Sequence, residues 1–200
     1  MTELSTVTDP YLPEPKNVST AAAGKVYVAD GAGSGQWSAL YSSGFEVVDD
    51  TTGSQALTAS TWVDINNNGS GSDTNTSYLL PSRTTMWSAL NNQWDFSGTQ
   101  LGDVVFLTLK FDVTTTGANA EVAVRLDLAH GTGSEYALEL YRNNFKTAGT
   151  YEVVCHAILP MTDNTIRNNP AKVAVWDDSS GDSLSVVDFV ATTVPNKAVY

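Results

Sequence analysis

From Gly44 onward the chain is a succession of strand-length apolar runs separated by clusters of Gly, Asn, Asp and Ser, a rhythm that constrains its fold more than any other feature. Short runs bounded by turn residues at regular spacing are the pattern of an all-β sandwich. The runs that qualify are Phe45–Val48, Thr61–Ile65, Ser77–Leu80, Val104–Thr114, Glu121–Ala129, Tyr136–Tyr141, Thr150–Leu159, Lys172–Asp177 and Ser185–Thr193. Between 121 and 128 the alternation is strict: Val122, Val124, Leu126 and Leu128 share one face, and Glu121, Arg125 and Asp127 the other. The run Val104 to Phe111 is nearly continuous, which predicts a central strand covered on both sides, by its own domain and by a neighbouring chain. No segment carries a 3.6-residue period with caps, so helix content should be minimal. Residues 41–200 are therefore expected to form an antiparallel β-sandwich of the jelly-roll type.

Residues 1–40 read differently. Pro10, Pro13 and Pro15 each remove a backbone donor and hold their neighbours extended, so this stretch is expected to be an arm. Val26, Tyr27 and Val28 could pair as a strand, but the glycines from Gly31 to Gly35 make the segment before Trp37 read as a connector. The loops NNNGSGSDTNT (66–76) and DDSSGD (177–182) lack an apolar anchor and are expected to be solvated, mobile tips.

Composition excludes whole classes of partner. The 200 residues are 42% apolar and 10% aromatic, enough for one core, and only 16% charged. Ten Lys and Arg against 22 Asp and Glu leave a net charge of −12, which repels phosphate backbones and anionic lipid surfaces, so nucleic-acid binding is not expected; no stretch approaches the roughly 20 apolar residues of a membrane span, so membrane insertion is not expected either. The start MTELSTVTDPYLPEP has neither the basic residues nor the apolar run of a signal peptide, which predicts synthesis in the cytosol. The single cysteine, Cys155, can form no internal disulfide and no zinc cluster.

The residues that could carry chemistry are few and badly arranged for it. A nucleophilic dyad needs a Ser or Cys within reach of a His, and only His130 and His156 exist. Cys155 and His156 are adjacent in a strand and so point to opposite faces, which favours a structural role for both. Asp49 and Asp50, and Asp177, Asp178 and Asp182, are of the type that binds hard cations, but DDSSGD lacks the ligand spacing and closing Glu of a calcium loop, so a plain hairpin turn is expected. GAGSG at 31–35 has no helix after it to face a phosphate. Glu135, Glu139 and Glu152 are acids without a paired partner in sequence, and Glu139 alternates outward among leucines. Trp37, Trp62, Trp87, Trp94 and Trp176 could stack on sugar, but core or interface positions are the more natural ones. No catalytic residue, cofactor or metal is expected.

The arm followed by AAAGKVYVADGAGSGQW (21–37) resembles the N-terminal segment of many tailed-bacteriophage virion proteins, where a similar stretch leads into a β-rich head. Beyond it, WDFSGTQLGDVVFLTLKFDVTT, EVAVRLDLAHGTGSEYALELYRNNFKTAGTY and SVVDFVATTV are similar to the compact heads of phage head-fibre and tail-fibre proteins, which share the C1q/TNF-like plan of trimeric jelly rolls. The resemblance implies a virion protein on the outside of a particle, a homotrimer whose arm, including Pro10, Tyr11, Leu12, Pro13 and Pro15, attaches to a major capsid protein or another virion protein. Lacking a repetitive shaft, the chain suits a short head fibre or capsid-decoration protein. A tail fibre recognising a host-surface glycan is the alternative. In this class aromatic residues meet along the trimer axis, which makes Phe106, Phe111, Tyr136, Tyr141, Tyr151 and Phe189 the interface candidates.

Overall fold

The computed structural model describes residues 25–29, 35–39, 43–80 and 83–196; the arm residues Pro10, Tyr11, Leu12, Pro13 and Pro15 lie outside them. The stretch read as a connector contains a hairpin: β1 (Lys25–Ala29) pairs antiparallel with β2 (Gly35–Ala39), Tyr27 opposite Trp37. It belongs to a different compact unit from Ser42–Lys197.

The second unit contains β3 (Gly44–Asp49), β4 (Gln55–Ala56), β5 (Thr61–Asp64), β6 (Trp87–Ser88), β7 (Gln93–Trp94), β8 (Val104–Thr115), β9 (Ala120–Leu128), β10 (Tyr136–Phe145), β11 (Gly149–Pro160), α1 (Asn164–Asn168), β12 (Lys172–Asp177) and β13 (Ser183–Val194). One sheet runs β11-β8-β13-β3, with β4 also on β13; the other runs β10-β9-β12. Every pairing between these strands is antiparallel, and successive strands after β8 cross repeatedly from sheet to sheet, which is the winding of a jelly roll. The one helix among the described residues has five residues and is capped by Asp163, whose carboxylate accepts from Thr165 N and Ile166 N.

Both sheets turn one row of side chains into a single core. Val105, Leu107, Leu109, Phe111 and Val113 of β8 face Val122, Val124, Leu126 and Leu128 of β9, all at most 1% exposed. Phe189 is the aromatic hub: its ring lies 5.2 Å from Trp87, 6.1 Å from Trp94 and 5.6 Å from Phe111, two of them edge-on. It faces inward together with Val186 because a bulge at Val187 shifts the register between Val186 and Asp188. Phe111 and Phe189, expected at a trimer interface, are therefore core residues of the chain itself, at 0% exposure with no surface left for another copy.

Two other expectations are corrected. Ser77–Leu80 forms no strand; it lies along β3, joined to it by Phe45 N donating to Tyr78 O at 3.0 Å and by a bridge between Val47 and Asn75. The 66–76 loop is anchored: Asn67 is fully buried, its side-chain amide donates to Val48 O, and Trp87 Nε1 donates to Asn67 O.

Glu46 also faces inward, at 0% exposure, in the row of β3 that otherwise holds Gly44 and Val48. Its carboxylate accepts from Thr85 Oγ1 at 2.6 Å, Met86 N at 2.9 Å and Trp87 N at 3.0 Å, fixing the segment that carries Trp87 to the core. Burial pushes its pKa up, and those hydrogen bonds pull it back down. Glu46→Ala should lower stability by roughly 2–4 kcal/mol, since Met86 N and Trp87 N lose their acceptor in the interior. Glu46→Gln, which keeps an acceptor oxygen, should recover part of it; urea unfolding of the three proteins measures the difference.

Candidate interaction surface

Near one end of the five-stranded sheet the outward row carries large apolar side chains on β3, β8 and β11, with Thr192 of β13 between them. Register places Phe45 of β3 against Thr192 of β13, Thr192 against Phe106 of β8, and Phe106 against Ile158 of β11. Tyr78 extends the row beyond β3 by stacking on Phe45 at 4.9 Å. Phe45, Tyr78, Phe106 and Ile158 are 38%, 58%, 40% and 63% exposed, and Val154 and Val194 on the same sheet are exposed as well. The nearly continuous run Val104 to Phe111 is thus central and alternates: one face is buried by the chain's own core, and the other is left partly exposed by the described residues.

The outward face of the other sheet is built from ion pairs. Arg142 of β10 bonds Glu121 at 2.6 Å and Glu139 at 2.8 Å, and its guanidinium lies 5.7 Å from the Trp176 ring. Arg125 of β9 pairs with Asp127 at 2.8 Å and sits 4.1 Å over the Trp62 ring, and Lys172 reaches Asp64 at 2.6 Å. Hydrogen bonds from Arg142 hold Glu139 below the usual carboxylate range. This face satisfies itself, whereas the apolar row has no counterpart in the described residues.

The remaining interface candidates are scattered. Tyr136 opens β10 at 48% exposure; Tyr141 and Tyr151 are half-buried against the core, and Tyr151 stacks on Phe145 at 4.3 Å while its hydroxyl donates to Thr147 O at 2.6 Å. Of the candidates only Phe106 lies in the apolar row. Sequence reading missed Phe45, Tyr78 and Ile158; the outward alternation of Phe45 with Val47 and of Ile158 with His156 was the available signal.

The catalytic candidates are dispersed or already engaged. Cys155 is 2% exposed, and burial pushes its thiol up to about 12. His156, on the opposite face of β11, shares a hydrogen bond with Thr108 Oγ1 at 3.2 Å. Glu152 pairs with Lys110 at 2.9 Å. Asp49 and Asp50 organise the 66–76 loop, Asp49 Oδ2 accepting from Asp73 N and Asp50 Oδ1 from Asn68 N. Asp127, His130 and Glu135 place ligand-type atoms within 4.8 Å of one another at the β9–β10 turn, but both oxygens of Asp127 are bound to Arg125 and Glu135 Oε2 accepts from Gly131 N, which leaves a poor metal donor set. Trp87 and Trp94, at 5% and 0% exposure, are core. A cavity of about 120 Å³ beside the 66–76 loop, lined by Asn68, Thr74, Thr76, Thr85 and the Trp87 edge, is smaller than the roughly 300 Å³ at which ligand pockets begin.

No family profile matches the chain, and no curated protein matches it. Among solved structures it is similar to infectious bursal disease virus Gt strain (10% identity, TM-score 0.45, 80% of this chain and 35% of that one). It is also similar to Eiger TNF from S. frugiperda (10%, 0.41, 79% and 94%) and to PRD1 vertex protein P5 (14%, 0.39, 89% and 85%). The chain spans about a third of the length of the bursal disease virus chain. The fold assignment rests on the sheet topology itself.

The Cys155 thiol should resist a water-soluble disulfide reagent in the native protein and react completely in denaturant. Rapid native labelling, followed by absorbance, would contradict its placement between the sheets.

Proposed function

We propose that this chain is a structural virion protein, a short head fibre or capsid-decoration protein whose sandwiches assemble as a trimeric spike attached through residues 1–40. The observation that carries this reading is the contrast between the faces: Phe45, Tyr78, Phe106 and Ile158 offer an apolar row, while the opposite face is closed by its own ion pairs. An uncovered apolar row on a sheet gains free energy by meeting another copy, at about 25 cal/mol per Å² of apolar surface removed from water. The likeness of residues 21–37 and of the strand series to phage fibre heads supports a particle as the place of assembly. The acidic charge, which repels nucleic acid and anionic lipid, fits a component on the particle exterior. The engagement of Glu139, Glu152 and His156 in local contacts supports a role without catalysis.

A tail fibre binding a host-surface glycan is the second reading, and the small polar cavity beside the 66–76 loop is the feature on its side. Glycan-array binding by a trimer would favour it over decoration.

Light scattering of the full 200-residue chain should give about three times 21.3 kDa. Phe106→Asp and Ile158→Asp should each shift the mass toward one chain while leaving the circular dichroism spectrum unchanged, because both side chains lie outside the core. A wild-type monomer would overturn the spike reading.

A further inference from the structure

The loop that joins β12 to β13 holds two carboxylates in an arrangement that no other described residue neutralises. Asp177 ends β12 and Asp182 immediately precedes β13, at 0% and 1% exposure. The expectation of a solvated tip is therefore wrong at both ends of DDSSGD. One oxygen of each is occupied: Asp177 Oδ1 accepts from Ser179 N at 3.1 Å, and Asp182 Oδ1 from Thr116 N at 2.7 Å and Thr116 Oγ1 at 2.8 Å. The second oxygen of each, Oδ2, is buried and has no hydrogen-bond partner among the described residues. Neither carboxylate takes part in an ion pair there.

The surroundings fix these groups in place. Ser60 N donates to Asp177 O at 2.6 Å and Leu57 N to Asp182 O at 3.0 Å, so both ends of the loop are tied to one neighbouring segment. From the other side Glu121 N donates to Asp178 Oδ1 at 2.9 Å, and Thr116 Oγ1 contacts Ser180 O at 3.3 Å. Burial, with repulsion from Asp182 and Asp178, pushes the Asp177 pKa up to about 6. Two pre-organised buried carboxylates, each with one oxygen that no described residue partners, carry a desolvation cost that a cation would offset.

We propose that Asp177 Oδ2 and Asp182 Oδ2 are ligands of a calcium ion that locks the β12–β13 loop. The donors are hard oxygens with no nitrogen or sulfur among them, which selects calcium or magnesium over transition metals. Calcium tolerates irregular coordination from carboxylates, loop carbonyls and water, whereas magnesium demands a near-ideal octahedron that a loop pinned at both ends cannot easily reach. This inference is independent of the virion reading, since it concerns stability within one chain.

Full-length protein stripped with a chelator is titrated with calcium chloride by calorimetry and melted with and without the ion. A saturable heat is expected, with a rise in melting temperature of roughly 5–10 °C at calcium about a hundredfold above Kd and a smaller rise with magnesium. Terbium, excited through Trp176 beside Asp177, should luminesce and be displaced by calcium. Asp177→Asn and Asp182→Asn should abolish both responses while still folding, because each removes a buried charge and keeps an acceptor oxygen for the bonds that Oδ1 now accepts. Absence of a saturable calcium heat in the wild type, or a response unchanged in both variants, overturns the proposal.

Discussion

A strand hydrogen-bonded on both edges must send alternate side chains to opposite faces, and β8 is the strand on which this rule bears most heavily. It is flanked by β11 and β13 along its length, so its inner row, from Val105 to Val113, becomes the floor of the core. The cross-strand partners of that row follow: Ala157 and Cys155 on β11, Phe189 and Ala191 on β13, and β9 across the sandwich. The same rule leaves Phe106 pointing outward, with Ile158 and Thr192 as its neighbours on either side. The core and the apolar outer row are two consequences of one pairing.

The two outer faces then divide the work. On the three-stranded sheet, charged residues of opposite sign sit within reach across strands, as Arg142 does with Glu121, and two arginines cover tryptophan rings. Such a face is stable in water and gains little from a partner. On the five-stranded sheet, ionic contacts such as Lys110 with Glu152 occupy one end of the strands, and the apolar row occupies the other. The outer face that can gain from assembly is therefore at that end, which is why the spike reading names a surface as well as a stoichiometry.

The strands were legible in the sequence because strict alternation and turn clusters act locally: Lys172–Asp177 matches to the residue, and the long strands match within a few. What local pattern could not show was cover from distant segments. Nothing in the run Phe45–Val48 shows that Glu46 is buried, where residues 85 to 87 bring three donors to it. Asp177 and Asp182 looked like turn residues, and they are buried by Thr116 and the segment from Leu57 to Ser60, far away in sequence. Phe111 and Phe189 are interface candidates by position and character within the resemblance, neither of which distinguishes an inward from an outward row; the Val187 bulge makes that distinction invisible to simple counting on β13. Ser77–Leu80 has strand composition, but its neighbours supply only isolated bonds along β3.

The central claim, that the apolar row of the five-stranded sheet is buried between copies, is tested most directly by hydroxyl-radical footprinting of the full-length protein in solution, read by mass spectrometry. The account predicts that Phe45, Tyr78, Phe106 and Ile158 are protected well beyond their exposure in a single chain, while Trp62 and Trp176 on the other face are modified as that exposure dictates. Modification of the apolar row at the rate expected of an isolated chain would contradict it.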